Sequence, residues 1–289
     1  MQQALSNCAN GTLRANMALM QLCLHADNAG SGRHAIEIAL DRATPQAGDR
    51  LRQLWALWQD TPNAFELIKS ISTGAEDDGQ VGGPARIARF AAAFDRAAAI
   101  SPAASVALYS LGREDLLNKA TAEVVSYLKA ERLLGRTRLA LEIGCGIGRF
   151  LVALAPELSR AVGLDVSPAM LTHACQRSKH CGNVELVQGN GHDFRTVPDR
   201  SFDLVLASDV FPYLVAAGQE VVQSNTKEAY RVLRPKGRLV IINYSYRGGD
   251  LDREDVLGLA AATGYEVRRC GIRPFRLWDG AVFELQRLD

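Results

Sequence analysis

Three glycines at alternate positions stand where an aliphatic run gives way to a helical window. Gly144, Gly146 and Gly148 follow a run that ends at Ile143, and the helical pattern begins near Arg149. Glycine lets the backbone turn sharply and approach a ligand closely, and the first turn of the following helix offers free N–H groups. The stretch therefore predicts a loop that binds a small molecule, although a strand-to-helix turn needed only for packing has the same composition.

The spacing of these glycines separates ligand classes. A dinucleotide fingerprint, GxGxxG, would place its third glycine at position 149, which is arginine here. The phosphate-binding P-loop pattern is also missing, because no Gly-Lys-Ser/Thr follows. What stands there is Glu142-x-Gly144-x-Gly146-x-Gly148, an acid followed by alternating glycines. This stretch closely resembles motif I of the class I S-adenosylmethionine-dependent methyltransferases.

The resemblance implies a role for each residue of the motif. In that family the acid and the glycines surround the amino acid end of the cofactor, S-adenosyl-L-methionine, and S-adenosyl-L-homocysteine is the product. The expected contacts at this end of the cofactor are Glu142, Gly144, Cys145, Gly146 and Gly148.

The next two strand ends extend the resemblance toward the nucleoside. Asp165 ends the second strand, where a carboxylate accepts hydrogen bonds from both ribose hydroxyls, as it also does in NAD enzymes. Val166 follows it, and Met170 resembles the apolar residue that lies against adenine, although plain helix packing explains a methionine there equally well. Asn190, followed by Gly191, takes the place of the acid that accepts from the adenine amino group, and an Asn-Gly turn is the alternative.

The stretch from Ser201 to Tyr213 resembles the family's fourth strand and the loop after it, which lies over the transferable methyl group. Asp209 is therefore expected near both the cofactor and the acceptor, with Phe211 and Tyr213 in the acceptor pocket. An aromatic face stabilises a sulfonium cation, and a phenol or a carboxylate can orient an acceptor. Asp209 and Tyr213 are thus candidate catalytic residues.

Several further residues are candidates by position. His192 is the histidine best placed to remove a proton, although a solvated loop histidine is the more frequent case. Tyr244 and Tyr246 lie just beyond the fifth strand, where ligands sit in doubly wound sheets, and are expected to line the acceptor pocket. Tyr109 is a candidate contact from the helices that precede the first strand.

Short aliphatic runs alternate with helical windows from Arg138 onward. This alternation indicates βαβ units, and the last two runs, with no helix between them, indicate an antiparallel hairpin. The predicted fold is α/β: a doubly wound, mainly parallel sheet with an antiparallel C-terminal hairpin strand, preceded by an all-helical N-terminal region. The predicted strands are 139–143, 161–164, 184–187, 204–207, 238–243, 265–270 and 281–286.

The chain is expected to contain three segments. Residues 1–80 form a helical N-terminal region that acts as a lid or in dimerisation, 81–135 a helical connector or cap over the cofactor cleft, and 136–289 the Rossmann-like domain. A helix is expected to open at Thr61-Pro62, and the glycine-rich, acidic stretch Gly74–Pro84 reads as a loop or linker. The family resemblance covers about 138–289.

Composition excludes some partners. The 289 residues carry a formal net charge of +1, with 47% hydrophobic and 22% charged residues, so no overall field attracts nucleic acid or an anionic membrane. The apolar stretches are too short to span a bilayer, and we expect a cytoplasmic protein. The six cysteines include no CxxC pair, and the His and Cys spacings match no metal site.

The sequence thus predicts methyl transfer from S-adenosylmethionine to nitrogen, oxygen or carbon of a small organic metabolite. The setting expected from the resemblance alone is biosynthesis of a bacterial secondary metabolite, and a homodimer through the N-terminal helices is a further expectation. Two alternatives remain open: a nicotinamide-dependent oxidoreductase, and a non-catalytic protein that binds S-adenosylmethionine or another protein.

Overall fold

A computed structural model describes residues 1–73 and 81–289. Most of the loop predicted over Gly74–Pro84 lies outside these residues, and its last two positions already belong to a helix. The chain divides into two compact units. The helical unit comprises Met1–Glu76, Arg96–Ala120 and Arg276–Trp278, and the sheet unit comprises Asp77–Asp95, Thr121–Phe275 and Asp279–Asp289. The sheet unit therefore extends on both sides of the predicted boundary at 135/136.

Amphipathic helices form the first part of the chain, as their three- and four-residue apolar spacing predicts. In chain order they are α1 (Gln2–Ala9), α2 (Ala15–His25), α3 (Ala29–Asp41), α4 (Pro45–Asp60), α5 (Ala64–Thr73), α6 (Gly83–Ile100), α7 (Pro102–Val106) and α8 (Glu114–Ala130). The fully buried side chains of the helical unit's core include Leu19, Leu22, Ile36, Leu51, Leu54 and Ile68.

The helix start expected at Thr61-Pro62 is wrong. Thr61 follows the end of α4, and its hydroxyl donates to the carbonyl of Leu57 at 2.6 Å, so it does not cap the next helix. Helix α5 begins only at Ala64. The threonine hydroxyl bonds backward to the preceding turn, an alternative that Ser and Thr always have near helix ends.

Strands and helices alternate in the sheet unit. The strands are β1 (Gly135–Ile143), β2 (Leu158–Asp165), β3 (Val184–Gln188), β4 (Phe202–Ser208), β5 (Leu233–Ile242), β6 (Tyr265–Ile272) and β7 (Val282–Arg287). The helices after β1 are α9 (Arg149–Leu154), α10 (Pro168–Ser178), α11 (Phe211–Ala217), α12 (Gln219–Val232) and α13 (Gly249–Thr263). Helix α11 occupies part of the stretch that the sequence indicated as a loop after the fourth strand.

The described strands form one sheet in the order β3-β2-β1-β4-β5-β7-β6. The first five pair in parallel, whereas β7 runs antiparallel to both β5 and β6. The predicted fold class is therefore confirmed. Four consecutive residues of β4, Leu204–Ala207, are buried, which is the pattern of a strand covered on both faces.

The strand order reverses between β1 and β4. In doubly wound sheets the crevice outside the carboxyl ends of the strands at such a reversal is where ligands bind. The residues that directly follow β1 to β5 lie along the carboxyl edge of the sheet. They come after Ile143, Asp165, Gln188, Ser208 and Ile242. None of the described helices is long and apolar enough to cross a membrane.

Candidate functional site

The loop after β1 requires its glycines both for conformation and for space. Gly144, Gly146 and Gly148 have φ angles of +64°, +52° and +74°, a region that disfavours side chains. A Cβ atom at Gly144 would lie 2.7 Å from Cγ2 of Val210, and one at Gly148 would lie 3.0 Å from Cβ of Ala174. The loop is therefore packed tightly between the segment after β4 and helix α10.

Asp165 holds this loop in place from the end of β2. Its Oδ2 accepts from the Gly146 N–H at 2.7 Å, and its Oδ1 accepts from the Ser167 N–H at 2.9 Å. Burial raises the pKa of this carboxyl, and the N–H donors oppose that rise. Each carboxylate oxygen has two lone-pair positions, so Asp165 keeps acceptor capacity for a ligand's hydroxyls.

Glu142 is buried with one carboxylate oxygen unused. The residue is 3% exposed, and its Oε2 has no hydrogen-bond partner among the described residues. Burial raises the pKa of Glu142 well above its ordinary value, the Arg149 guanidinium opposes this, and the Asp165 charge adds to it. A buried acceptor without a partner is costly unless a ligand completes it. An ammonium group donates charge-assisted hydrogen bonds to a carboxylate and is one ligand that would complete this acceptor.

Cys145 lies within the loop but its side chain is buried at 3% exposure. Its N–H donates to the Leu164 carbonyl at 2.9 Å, and its Sγ lies 2.8 Å from where a Cβ of Gly163 would stand. Burial raises the pKa of the thiol well above its ordinary value. The side chain thus packs the loop onto β2, and only the backbone of Cys145 belongs to the loop surface.

The loop after β3 differs from the expectation. The Asn190 Oδ1 accepts from the N–H groups of His192 and Asp193 at 2.8 and 3.0 Å, so its two lone pairs are used within the turn. In this arrangement the Asn190 Oδ1 has no lone pair left to accept the expected hydrogen bond from an adenine amino group. At Gly191, φ is +77° and a Cβ would lie 2.7 Å from Cγ2 of Ile87 on α6. The loop therefore packs directly under that helix.

The other candidate residues near these loops differ in burial and in hydrogen bonding. Met170 is buried at the start of α10, with its N–H donating to the Ser167 hydroxyl at 3.1 Å, and Val166 packs against the main core. His192 is half-buried, and its Nε2 has no partner among the described residues. Ser208, at the end of β4, has a buried hydroxyl that likewise finds no partner in the described part of the chain. Unused polar atoms thus recur at the strand ends.

Asp209 follows β4 in a constrained backbone conformation. Its φ is +54°, and Asn243, directly across from it after β5, has φ of +61°. The Asn243 Nδ2 donates to the Asp209 Oδ1 at 2.7 Å, and the Tyr246 hydroxyl donates to the same oxygen at 3.4 Å. Burial raises the pKa of Asp209 to about 6, while the bond from Asn243 and the charge of Arg149 oppose the rise. Asn243 was missed by the sequence reasoning, although a polar residue directly after a central strand is a usable signal.

Tyr213 lies between two phenylalanines of α6. Its ring meets Phe90 at 5.2 Å and Phe94 at 5.0 Å between centroids, both edge to face. Burial, followed by the charge of Asp209, raises the pKa of its phenol to about 12. Neither phenylalanine was expected at the site, and their i, i+4 spacing on an alanine-rich helix was the only sequence signal.

Two of the expected acceptor contacts are core residues instead. Phe211 and Tyr244 are fully buried and lie 5.8 Å apart, and Tyr244 also meets Phe283 at 6.3 Å. Phe211 is the first residue of α11, and its ring packs into the core and attaches that helix to the sheet unit. By contrast, Tyr246 is 71% exposed.

Tyr109 belongs to the helical unit. It lies in a short 3-10 turn (Leu108–Ser110), is 6% exposed, and its ring centroid is 5.4 Å from that of Trp278. Its carbonyl accepts from the Asn16 Nδ2 at 3.2 Å. Its role as an acceptor contact stays a prediction.

In the part of the chain that the structure describes, no group of three or more His, Cys, Asp or Glu side chains is arranged to hold a metal ion.

Comparison with known proteins finds similarity over part of the chain. Residues 141–241 match the family described as a methyltransferase domain. Nodulation protein S of Sinorhizobium fredii is 29% identical over 137 residues, covering 45% of this chain and 61% of the relative. Demethylmenaquinone methyltransferase of Tropheryma whipplei is 34% identical over 106 residues, covering 37% of this chain and 41% of the relative. The chain thus matches less than two thirds of the length of either protein.

A solved structure supports the fold alone. Phosphoethanolamine N-methyltransferase 1 of Haemonchus contortus, in complex with phosphoethanolamine and S-adenosylhomocysteine, aligns with a TM-score of 0.55 at 17% identity. The alignment covers 73% of this chain and 51% of that one.

Proposed function

The chain carries a domain of the class I S-adenosylmethionine-dependent methyltransferase family, as the sequence predicted, and on that premise we propose that it methylates a small organic acceptor. The observation that supports this most is the unused Oε2 of Glu142, buried beside the glycine loop and one strand away from Asp165. An ammonium and a ribose are the groups that the carboxylates of Glu142 and Asp165 are suited to bind.

The residues present fit the cofactor. Glu142 has the free acceptor for the ammonium, and Asp165 has spare lone pairs for the ribose hydroxyls. The positive φ angles of the glycines keep side chains out of the space that the ligand needs. Asn190 is less suited to bind adenine than expected, since its oxygen closes a turn.

When bound, S-adenosylmethionine supplies a methyl group on a sulfonium. The acceptor's lone pair forms the new bond to the methyl carbon while the carbon–sulfur bond breaks and its electron pair stays on sulfur. The sulfonium is already reactive, so the chain's residues act mainly by aligning the reactants and excluding water. Asp209, and His192 through its unpartnered Nε2, are the groups available to take a proton where the acceptor must lose one.

The acceptor is proposed to be a small metabolite. The side chains beyond β4 and β5 include the aromatic residues Tyr213 and Tyr246, and Phe90 and Phe94 of α6 pack on the former. Such rings suit a small organic molecule better than a charged polymer. A biosynthetic role in a bacterium and action in the cytoplasm are extensions of this proposal.

Calorimetric titration with S-adenosylmethionine, S-adenosylhomocysteine and NADH tests the proposal. We expect micromolar binding of both sulfur nucleosides and none of NADH. Glu142→Gln and Asp165→Ala should each weaken binding by about 10-fold or more, because each removes a charged acceptor. Glu185→Gln, which changes a half-exposed carboxylate on β3, is the matched control.

Each competing function has its own outcome in this experiment. Binding of NADH alone would establish the oxidoreductase alternative and refute ours. Tight S-adenosylmethionine binding with no methyl transfer to any of a broad acceptor set would favour a non-catalytic binding protein.

A further inference from the structure

The chemistry at the ends of β4 and β5 narrows the acceptor class. Asp209 is a half-buried carboxylate there, and Asp279, in the segment before β7, acts on it as a second negative charge. The same two carboxylates act on the Tyr246 phenol. Two carboxylates therefore bring negative charge to the ends of β4 and β5.

Asn243 fixes how Asp209 is presented. The Asn243 Oδ1 accepts from the Ala281 N–H at 2.9 Å, so its Nδ2 must face Asp209 and donate. The backbone N–H of Asn243 donates to the Ala281 carbonyl at 2.8 Å, which anchors the residue to the strand-end segment before β7. Donation to a carboxylate favours its charged form and restricts its rotation.

Aromatic rings adjoin this carboxylate. Tyr213 is close enough to Asp209 for the carboxylate charge to act on its phenol, and Phe90 and Phe94 pack on the Tyr213 ring. Ring faces attract cations, and a carboxylate pairs with them. Arg149 is the positive group that acts on Asp209, and it also acts on Glu142, while its guanidinium lies 4.2 Å from the centroid of the Phe150 ring.

We propose that the methyl acceptor is an amine, which reaches the site as an ammonium, pairs with Asp209 and is bordered by Tyr213 and Tyr246. The inference rests on the proposed function. A phenolate or carboxylate acceptor would bring a negative charge next to Asp209 and Asp279, which like-charge repulsion disfavours.

The proton and electron pairs balance along the reaction. The ammonium gives a proton to the Asp209 carboxylate, and the freed nitrogen lone pair forms the bond to the methyl carbon as the carbon–sulfur pair stays on sulfur. The product is a methylammonium ion and neutral S-adenosylhomocysteine sulfur, and Asp209 returns its proton to solvent. Asp209 is thus the catalytic residue of this step, and Asn243 is a positioning residue.

Three probes of similar shape test the charge preference: 2-phenylethylamine, 2-phenylethanol and 3-phenylpropanoate. Each is titrated at pH 7.5 into the full chain saturated with S-adenosylhomocysteine. We expect the amine to bind about 10-fold or more tighter than the alcohol, with the acid weakest. In Asp209→Asn, saturated with S-adenosylhomocysteine according to that variant's own titration, this preference should fall below about 3-fold. Asparagine tolerates positive φ, so the variant should keep the backbone.

The outcomes separate the two proposals. If S-adenosylhomocysteine binds but the alcohol or acid binds as tightly as the amine, or the preference survives in Asp209→Asn, or no probe binds, the amine inference is overturned alone. Failure to bind S-adenosylhomocysteine overturns the proposed function and this inference with it.

Asn243→Gly tests the positioning role. Glycine accepts the φ of +61° without strain but removes the hydrogen-bond donor to Asp209. The Asp209 pKa should therefore rise, and with it the pH above which the amine binds. A merely structural role would instead weaken all three probes equally and leave the pH midpoint unchanged, which would refute positioning by Asn243.

Discussion

Two acids at adjacent strand ends differ in how their carboxylate oxygens are hydrogen-bonded. Asp165 accepts two backbone N–H groups and so organises the glycine loop, whereas one buried oxygen of Glu142 has no partner among residues 1–73 and 81–289. The first arrangement stabilises the free protein, and the second costs stability until a ligand arrives. Asp209 is a third case, since one neutral amide and one phenol are its hydrogen-bond donors. At the scale of single residues, Glu142 thus lowers the stability of the ligand-free protein and supplies an acceptor for a ligand.

Asp209→Asn should stabilise the folded protein at neutral pH. The folded-state pKa of about 6 lies above the ordinary value for Asp, so ionisation disfavours folding. The wild type should lose stability as the pH rises from about 4 to 6, with a total effect of at most about 3 kcal/mol. Chemical denaturation of both proteins at pH 4 and pH 7.5 measures this.

The control for that experiment is an acid with the opposite shift. The Glu228 pKa is lowered, chiefly by the hydrogen bond from Arg231, so Glu228→Gln should be destabilising at pH 7.5 and nearly neutral at low pH. An Asp209→Asn variant that is no more stable than wild type at pH 7.5 would contradict the assigned burial.

At the scale of elements, the loop after β1 and helix α6 meet the same edge of the sheet. The loop is held by Asp165, and α6 packs through Ile87 above Gly191 and through its phenylalanines on Tyr213. Asp95 on α6 also accepts from the Ser167 hydroxyl at 2.5 Å and from the Ala169 N–H at 3.1 Å. The carboxyl-terminal half of α6 is thereby fixed to the start of α10.

Gly144→Ala should destabilise the protein by about 1–3 kcal/mol, because it combines a positive φ with a Cβ 2.7 Å from Val210. It should also weaken S-adenosylhomocysteine binding, since the loop must shift to relieve the contact. Gly182→Ala, where a new Cβ meets nothing within 4 Å, is the control and should change neither quantity. Equal behaviour of the two variants would show that the loop does not need its glycine.

At the scale of the whole molecule, the two units each have a hydrophobic core of their own. One core surrounds the sheet, with residues such as Val205, Ile241 and Phe283, and the other lies among the first helices, around Leu22 and Leu54. The candidate site belongs to the sheet unit, so ligand binding adds to the stability of that unit's folded form.

S-adenosylhomocysteine at 100 times its dissociation constant should stabilise the sheet unit by about 2.7 kcal/mol. The corresponding rise in its melting temperature is roughly 5–10 °C, measured by near-ultraviolet circular dichroism. NADH at the same concentration should have no effect, and Asp165→Ala should show a smaller rise than wild type at equal ligand concentration. A rise with NADH of equal size would indicate a different nucleoside specificity.

The sequence by itself determined the strands, the mainly parallel fold with its antiparallel end, the glycine loop and the acid at Asp165. These follow from local composition and spacing, because periodicity and glycine's backbone freedom act over a few residues. Only the tertiary structure decided that Asn190 closes a turn, that Tyr244 is core, and that Phe90 and Asn243 reach the site. Those outcomes depend on which distant residues meet, and burial and hydrogen-bond partners are set by contacts that sequence spacing does not encode.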